Sequence, residues 1–275
     1  MRRYVDRGSG PAVVLLPGIQ GRWQFLSRTV EALAAHGCRV LTFSLGRAVD
    51  RGEPVDPVRG YARDMARIDA MLDEAGLDRA ALCGSSAGGP VALQYAATRP
   101  GKVTALVLAS APGPRWAPDP ELRAQMRRPW LNTLVFLAGT RARLAPEIRV
   151  AFPRRLPRLA FTLRQVITVL RAPIVPSWMA ERARLMQAID LAALARQVQA
   201  PTLLVTGEPG LDRVVPVAQT HEYLKLIPEV RAVTLERTGH IGLVTQPDRF
   251  AGIVATFVHE AAARVHETGQ TQTHG

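Results

Sequence analysis

The chain has 275 residues, carries a formal charge of +12 and is 47% hydrophobic but only 5% aromatic. That supplies one substantial core, or a core with an inserted cap. No apolar run reaches the roughly 18 residues of a membrane span, and two cysteines, Cys38 and Cys83, do not make a disulfide framework. The first ten residues lack the apolar centre of a signal peptide, so a reducing cytoplasm is the expected compartment.

Strands and helices alternate from the start. Ala12–Leu16 reads as a buried strand that runs into the turn Pro17-Gly18-Ile19-Gln20-Gly21. Trp23–His36 has helical apolar spacing and ends at Gly37, a plausible C-cap; Arg39–Phe43 is the next strand. Residues 44–56 read as a loop. A helix is expected from Pro57 to Ala75, with Tyr61, Met65, Ile68, Leu72 and Ala75 on one face. Ala80–Cys83 is a short buried strand, Pro90–Ala97 a helix, and Val103–Leu108 a further strand. This order predicts a mostly parallel α/β sheet covered on both faces.

The alternation breaks after Ala111. Four prolines follow in residues 112–120, and from there to Val198 only helices and prolines are found. One helical stripe is Leu159, Leu163, Val166 and Leu170; another is Trp178, Arg182, Leu185 and Ile189, with Arg182 at its edge. Both stripes are read as core packing of an all-helical cap spanning 114–198, inserted between core segments 1–113 and 199–265. Strands resume at Thr202–Thr206 and Val230–Leu235, with a helix between at 217–227. Pro247–Arg264 is the last helix, and the polar tail 266–275 is expected to be disordered.

Between the strand at 80–83 and the helix at 90–97 lies Gly84-Ser85-Ser86-Ala87-Gly88-Gly89, of the form G-x-S-x-G. A strand that turns at once into a helix forces its middle residue, Ser86, toward positive φ, and leaves no room for side chains at Gly84 and Gly88. The hydroxyl is lifted clear of the sheet at the positive end of a helix. A serine hydroxyl needs a base, and the base needs a group that holds its tautomer. Of six histidines, only His240 sits in a glycine-flanked loop directly after a strand, where the loops of a parallel sheet gather at its carboxyl edge. The third group should come from another such loop. Asp212 is favoured, because the apolar run and Pro216 after it would pin its loop; Glu208 is the competitor. The plainer roles are an ordinary turn for Ser86, a backbone-bonded loop histidine for His240 and an Asx-turn for Asp212.

With these residues the chain resembles the α/β-hydrolase superfamily over nearly its whole length, from about Tyr4 to Arg264. The resemblance implies a serine hydrolase with nucleophile, acid and histidine in the order Ser86, Asp212, His240. It also implies an oxyanion hole made by the backbone N–H groups of Ile19 and Ala87. Gln20, in the same turn, is a candidate substrate contact, and a solvated turn residue is its plainer role. The family's H-G turn is here Pro17-Gly18, and the spacing from Gly207 to Asp212 is two residues longer than its commonest form. The early antiparallel strands are expected to be short or missing, and the strand before Ser86 to be central. No cofactor and no metal site is expected, since no metal-ligand spacing occurs. Carboxylic ester hydrolysis is the first expectation; amide, thioester or C–C cleavage and a non-catalytic ligand-binding member are the alternatives.

The charge is uneven. Residues 114–198 hold fifteen arginines and five acids. A solvated basic surface accounts for this; an anionic substrate or an acidic lipid surface, and hence peripheral membrane contact, are the sharper alternatives. The expected partner is a small hydrophobic or anionic acyl substrate. Nucleic acid is not expected, since no binding motif occurs and aromatics are few. Oligomeric state is not legible.

Overall fold

A computed structural model describes residues 4–47, 56, 57 and 59–272. Most of the 44–56 loop therefore lies outside the described residues. Seven strands form one sheet: β1 (Val5–Arg7), β2 (Ala12–Leu16), β3 (Arg39–Thr42), β4 (Ala80–Ser85), β5 (Val103–Ala109), β6 (Thr202–Thr206) and β7 (Val230–Thr234), in the spatial order β1-β3-β2-β4-β5-β6-β7. Only β1 is antiparallel, pairing Val5 with Thr42 on β3; the rest run parallel. One short antiparallel strand thus precedes the parallel sheet. The strand that carries the glycine-serine motif, β4, is central and wholly buried, as a strand covered on both faces must be.

Helices α1 (Ser27–Ala35), α2 (Ala62–Glu74) and α3 (Gly88–Thr98) follow the strands expected to feed them. The chain enters α1 through a 3-10 turn at Trp23–Leu26. Helix α2 begins at Ala62 rather than Pro57; the side chain of Gln94 accepts the Tyr61 N–H at 2.8 Å and closes its first turn.

The segment after β5 holds α4 (Pro120–Arg127), α5 (Pro129–Ala151), α6 (Arg155–Arg171), α7 (Pro176–Ala188) and α8 (Leu191–Gln197). Helices α4, α5 and α7 share a small core of Leu122, Met126, Phe136, Met179, Ala180 and Ala183. Helix α8 packs instead on α3, and Leu191, Ala195 and Val198 join the sheet's own core. The expected cap span therefore ends in a helix that belongs to the sheet layer.

The expectation that Leu159, Leu163, Val166 and Leu170 pack in a core is overturned: each is at least half exposed. Their helix, α6, packs on the sheet domain through the Trp23–Leu26 turn, and the spacing that marks an apolar face does not by itself supply a partner for it. In the α7 stripe Leu185 is buried, and so is Arg182, which is not at an edge.

Between β6 and β7, α9 (Val217–Thr220) gives way to a 3-10 turn at His221–Lys225, so the expected helix 217–227 is broken. A one-turn helix, α10 (Gly242–Thr245), precedes α11 (Pro247–Gln272). The latter continues past Arg264 into the tail expected to be disordered, with no proline to interrupt it. Two apolar cores flank the sheet: Leu72, Leu93, Tyr95 and Tyr223 lie on one side, and Leu33, Phe250 and Val254 on the other. Cys38 and Cys83 are free and buried in the second, where burial pushes their thiols up to about 11 and about 12.

Candidate active site

Strand β4 ends at Ser85 and α3 begins at Gly88, so the chain reverses within two residues. Ser86 takes a φ of 50°, the left-handed region that residues with side chains avoid. The reversal is held by the Ser86 N–H donating to the Ala109 carbonyl and the Gly89 N–H donating to the Ser86 carbonyl, both at 2.8 Å. It also requires the two expected glycines. A Cβ on Gly84 would lie 2.5 Å from the Gly88 carbonyl oxygen, and one on Gly88 would lie 2.6 Å from that of Leu16.

His240 Nε2 lies 3.0 Å from Ser86 Oγ, across 154 residues of sequence. On the other side of the ring, Nδ1 lies 3.3 Å from the Asp212 carboxylate. The Asp212 and His240 loops are tied together by the Glu208 N–H, which donates to the Thr238 carbonyl at 2.8 Å. Asp212 Oδ1 also accepts the N–H groups of Val214 (3.0 Å) and Val215 (2.9 Å). The Asx-turn and the histidine contact thus coexist on one carboxylate. Burial alone would raise this carboxyl; the charge of His240, its hydrogen bond and the two N–H groups outweigh burial and hold it below its ordinary value. Glu208, the competitor, instead accepts the Arg237 N–H at 2.6 Å and faces a turn whose φ is 59°.

The remaining described histidines lie elsewhere. His36 pairs with Asp248 at 3.0 Å, His221 lies 3.4 Å from Thr206 Oγ1, and His259 is exposed on α11. Among the described residues no cluster of His, Cys, Asp and Glu is arranged to hold a metal ion.

The Pro17–Gly21 turn borders Ser86, since a Cβ on Gly18 would lie 3.3 Å from that of Ser86. Ile19 and Gln20 face the same cavity as Ser86, Ala87 and His240. That cavity measures about 1570 Å³ and runs beneath the helical insert, where Phe136, Leu144, Ile148 and Phe161 line it. Arg143, Arg149, Arg155 and Arg158 add charge to its wall.

Two buried charged residues brace this site; sequence reasoning places Arg182 only at the edge of a helical stripe and does not pick out Glu147. Glu147, on α5, is fully buried; its carboxylate accepts the Ile241 N–H at 3.0 Å and the Thr245 hydroxyl at 3.4 Å. It therefore grips the segment directly after His240. Burial raises its carboxyl above the ordinary value, against the pull of backbone N–H groups and of His240. Arg182, on α7, donates to the carbonyls of Ile19 (2.9 Å), Leu45 (3.0 Å) and Gly46 (2.5 Å). Burial lowers its guanidinium to about 10, with Asp64 and Glu181 opposing. One signal of Glu147 is present in the sequence: it is the sole acid between Leu122 and Ala180.

Comparison with known proteins agrees with this architecture. The model of the Alpha/beta hydrolase family matches residues 13–253. A "Putative carbamate hydrolase RutD" from Pseudomonas savastanoi pv. phaseolicola is 26% identical, covering 92% of this chain and 96% of the relative. A "2-hydroxy-6-oxononadienedioate/2-hydroxy-6-oxononatrienedioate hydrolase 1" from Dechloromonas aromatica is 26% identical, covering 93% and 89%. Among solved structures, the esterase EaEST from Exiguobacterium antarcticum superposes with a TM-score of 0.74 at 20% identity, covering 93% of this chain and 94% of that one. The family match spans most of the sequence, and the chain belongs to the alpha/beta hydrolase family.

Proposed function

We propose that the protein is a serine hydrolase that cleaves a carboxylic ester through an acyl-enzyme intermediate. The observation that carries this reading is the continuous line from the Asp212 carboxylate through His240 to the Ser86 hydroxyl, ending in a largely apolar cavity. Ser86 Oγ attacks the ester carbonyl carbon while His240 Nε2 takes its proton. Asp212 fixes the imidazole and stabilises the cation that forms. The carbonyl oxygen, now negative, meets the N–H groups of Ile19 and Ala87, each worth about 3 kcal/mol in such a site. His240 then protonates the departing alkoxide. Water, deprotonated by the same ring, releases the acid and restores Ser86.

The cavity exceeds the roughly 300–1,000 Å³ typical of small-ligand pockets, and its apolar lining favours a long or bulky acyl group. Gln20, on its wall, is assigned to substrate contact. A second reading, cleavage of a carbamate, amide or C–C bond by the same serine, is favoured by the names of the two relatives.

A fluorophosphonate probe followed by turnover of a p-nitrophenyl ester series tests the proposal. Labelling of wild type but not of Ser86→Ala, with long acyl chains turned over faster than acetate, is expected. Absence of labelling removes the serine mechanism. Labelling without turnover of any ester transfers the argument to the second reading.

A further inference from the structure

Helices α5 and α6 leave large apolar side chains in water. Trp130, Leu131 and Leu134 on α5, and Leu156, Leu163 and Leu170 on α6, are 57–80% exposed. Among the described residues outside these two helices, only Leu224, at 41%, is a comparably large exposed apolar side chain. Single exposed leucines are ordinary; a group of this size on two consecutive helices marks an interaction surface.

The charge around this face says what covers it. Between Leu122 and Ala180 the chain has eleven arginines and one acid, and that acid, Glu147, is buried. Among the described residues, Arg154, Arg155, Arg158, Arg164 and Arg171 have no carboxylate partner. Helices that carry exposed leucines and tryptophan beside unneutralised arginines suit the boundary of an anionic lipid layer. The apolar side chains enter the acyl region, and the guanidinium groups reach up to phosphate. A second copy docked through the same face would bring two basic surfaces together. A nucleic acid would take the arginines and leave the leucines unmatched. No single helix among the described residues is long and apolar enough to cross a membrane; α6 and α7 reach that length and apolarity only as a pair bent by 98°.

The face is continuous with the active-site cavity. Leu156, Leu159, Val166 and Leu170 line the cavity and are also at least half exposed. Helix α6 is thus the wall between the cavity and the outside, and it packs on the sheet domain through the Trp23–Leu26 turn.

We propose that the α5–α6 face docks the protein on an anionic bilayer surface, with the mouth of the cavity turned toward the lipid. The substrate class that follows, a long-chain acyl ester drawn from the bilayer, rests on the ester-hydrolase reading above; the docking itself does not.

The test is sedimentation of the full-length chain with phosphatidylcholine vesicles made with and without phosphatidylglycerol. Ser86→Ala is used so that no lipid is turned over. Binding about tenfold or more tighter to the anionic vesicles, and weakened by added salt, is expected. The double variant Leu134→Glu/Leu163→Glu alters two residues that do not line the cavity. It should bind the anionic vesicles about tenfold or more weakly, while a soluble short ester is turned over within about twofold of wild type. Arg154→Glu/Arg171→Glu, also off the cavity, should lose binding by the same measure without touching an apolar residue.

Three results overturn the proposal: no sedimentation at low salt, equal binding to neutral and anionic vesicles, or undiminished binding by both double variants. A wild-type dimer that Leu134→Glu/Leu163→Glu converts to monomer also overturns it, because a second copy then covers the face. Docking with no turnover of any ester leaves the proposal standing and defeats the ester-hydrolase reading instead.

Discussion

Glu147, on a helix of the insert, accepts the backbone N–H of Ile241, the residue directly after His240, at 3.0 Å. The insert is therefore not only a roof over the cavity. It holds the histidine loop through α5 and, by way of Arg182, the Ile19 turn through α7. Both grips join a buried charged side chain to backbone groups, and so depend on the insert's position more than on the neighbours' side chains.

Glu147→Ala should leave the Ile241 N–H without its acceptor and remove one acceptor of the Thr245 hydroxyl. A loss of about 1–3 kcal/mol in stability is expected from a buried donor left unpaired. The same loosening should lower kcat for a soluble ester about tenfold with KM little changed, since a displaced imidazole affects the reaction rather than substrate binding. Glu147→Gln, which keeps an acceptor oxygen, should recover most of both. Thermal melts and steady-state kinetics on the two variants check this; a stability loss with kcat intact would reduce Glu147 to a packing role.

Asp212 and Glu208 are separable by activity. Asp212→Asn should lower kcat by about 10³–10⁴-fold, because the amide no longer favours the tautomer that accepts the serine proton. Glu208→Gln should change kcat by less than about threefold, since its carboxylate holds the Arg237 N–H rather than His240. Reversal of these two outcomes in a burst-phase assay would reassign the acid.

Much of this site is legible in the sequence because it rests on local rules. The turn at Gly84–Gly88 needs small residues wherever it occurs, and loops after parallel strands reach one edge by topology alone. Asp212 stands out over Glu208 for its pinned loop, and the structure gives it the histidine. The bracing roles of Glu147 and Arg182 are not legible for a physical reason: they act mainly on backbone groups, which leave no residue type to search for. The α6 stripe is legible as an apolar face but not as an exposed one, because periodicity reports a face and says nothing of what it meets. The helix at 217–227 fails in part for the reason that its second half adopts 3-10 geometry, which pattern reading does not separate from α.

Ser86 carries backbone strain apart from its chemistry. Its φ of 50° is unfavourable for any residue with a Cβ and open to glycine. Both Ser86→Ala and Ser86→Gly should fail to react with a fluorophosphonate. Ser86→Gly should be more stable than Ser86→Ala by about 1 kcal/mol. Denaturant titration of the two inactive variants measures the strain directly, and equal midpoints would show that the turn stores none.

Asp64 gives the fold a pH dependence unrelated to turnover. It lies on α2, buried, with Oδ1 lacking a hydrogen-bond partner. Burial pushes its carboxyl from 3.8 to about 6, although the charges of Arg182, Arg67 and Arg63 pull it down. The folded chain therefore holds this proton more tightly than the unfolded one. The associated stability is fully present below about pH 4 and is lost as pH rises through about 6, where the buried carboxylate must ionise. The difference between 3.8 and about 6 corresponds to roughly 3 kcal/mol. Asp64→Asn cannot ionise, so wild type should lose stability relative to the variant as pH rises from 4 to 7. Melting temperatures of both proteins across that range decide the point: a constant difference between them would mean that Asp64 keeps the same protonation state in the folded and unfolded chains.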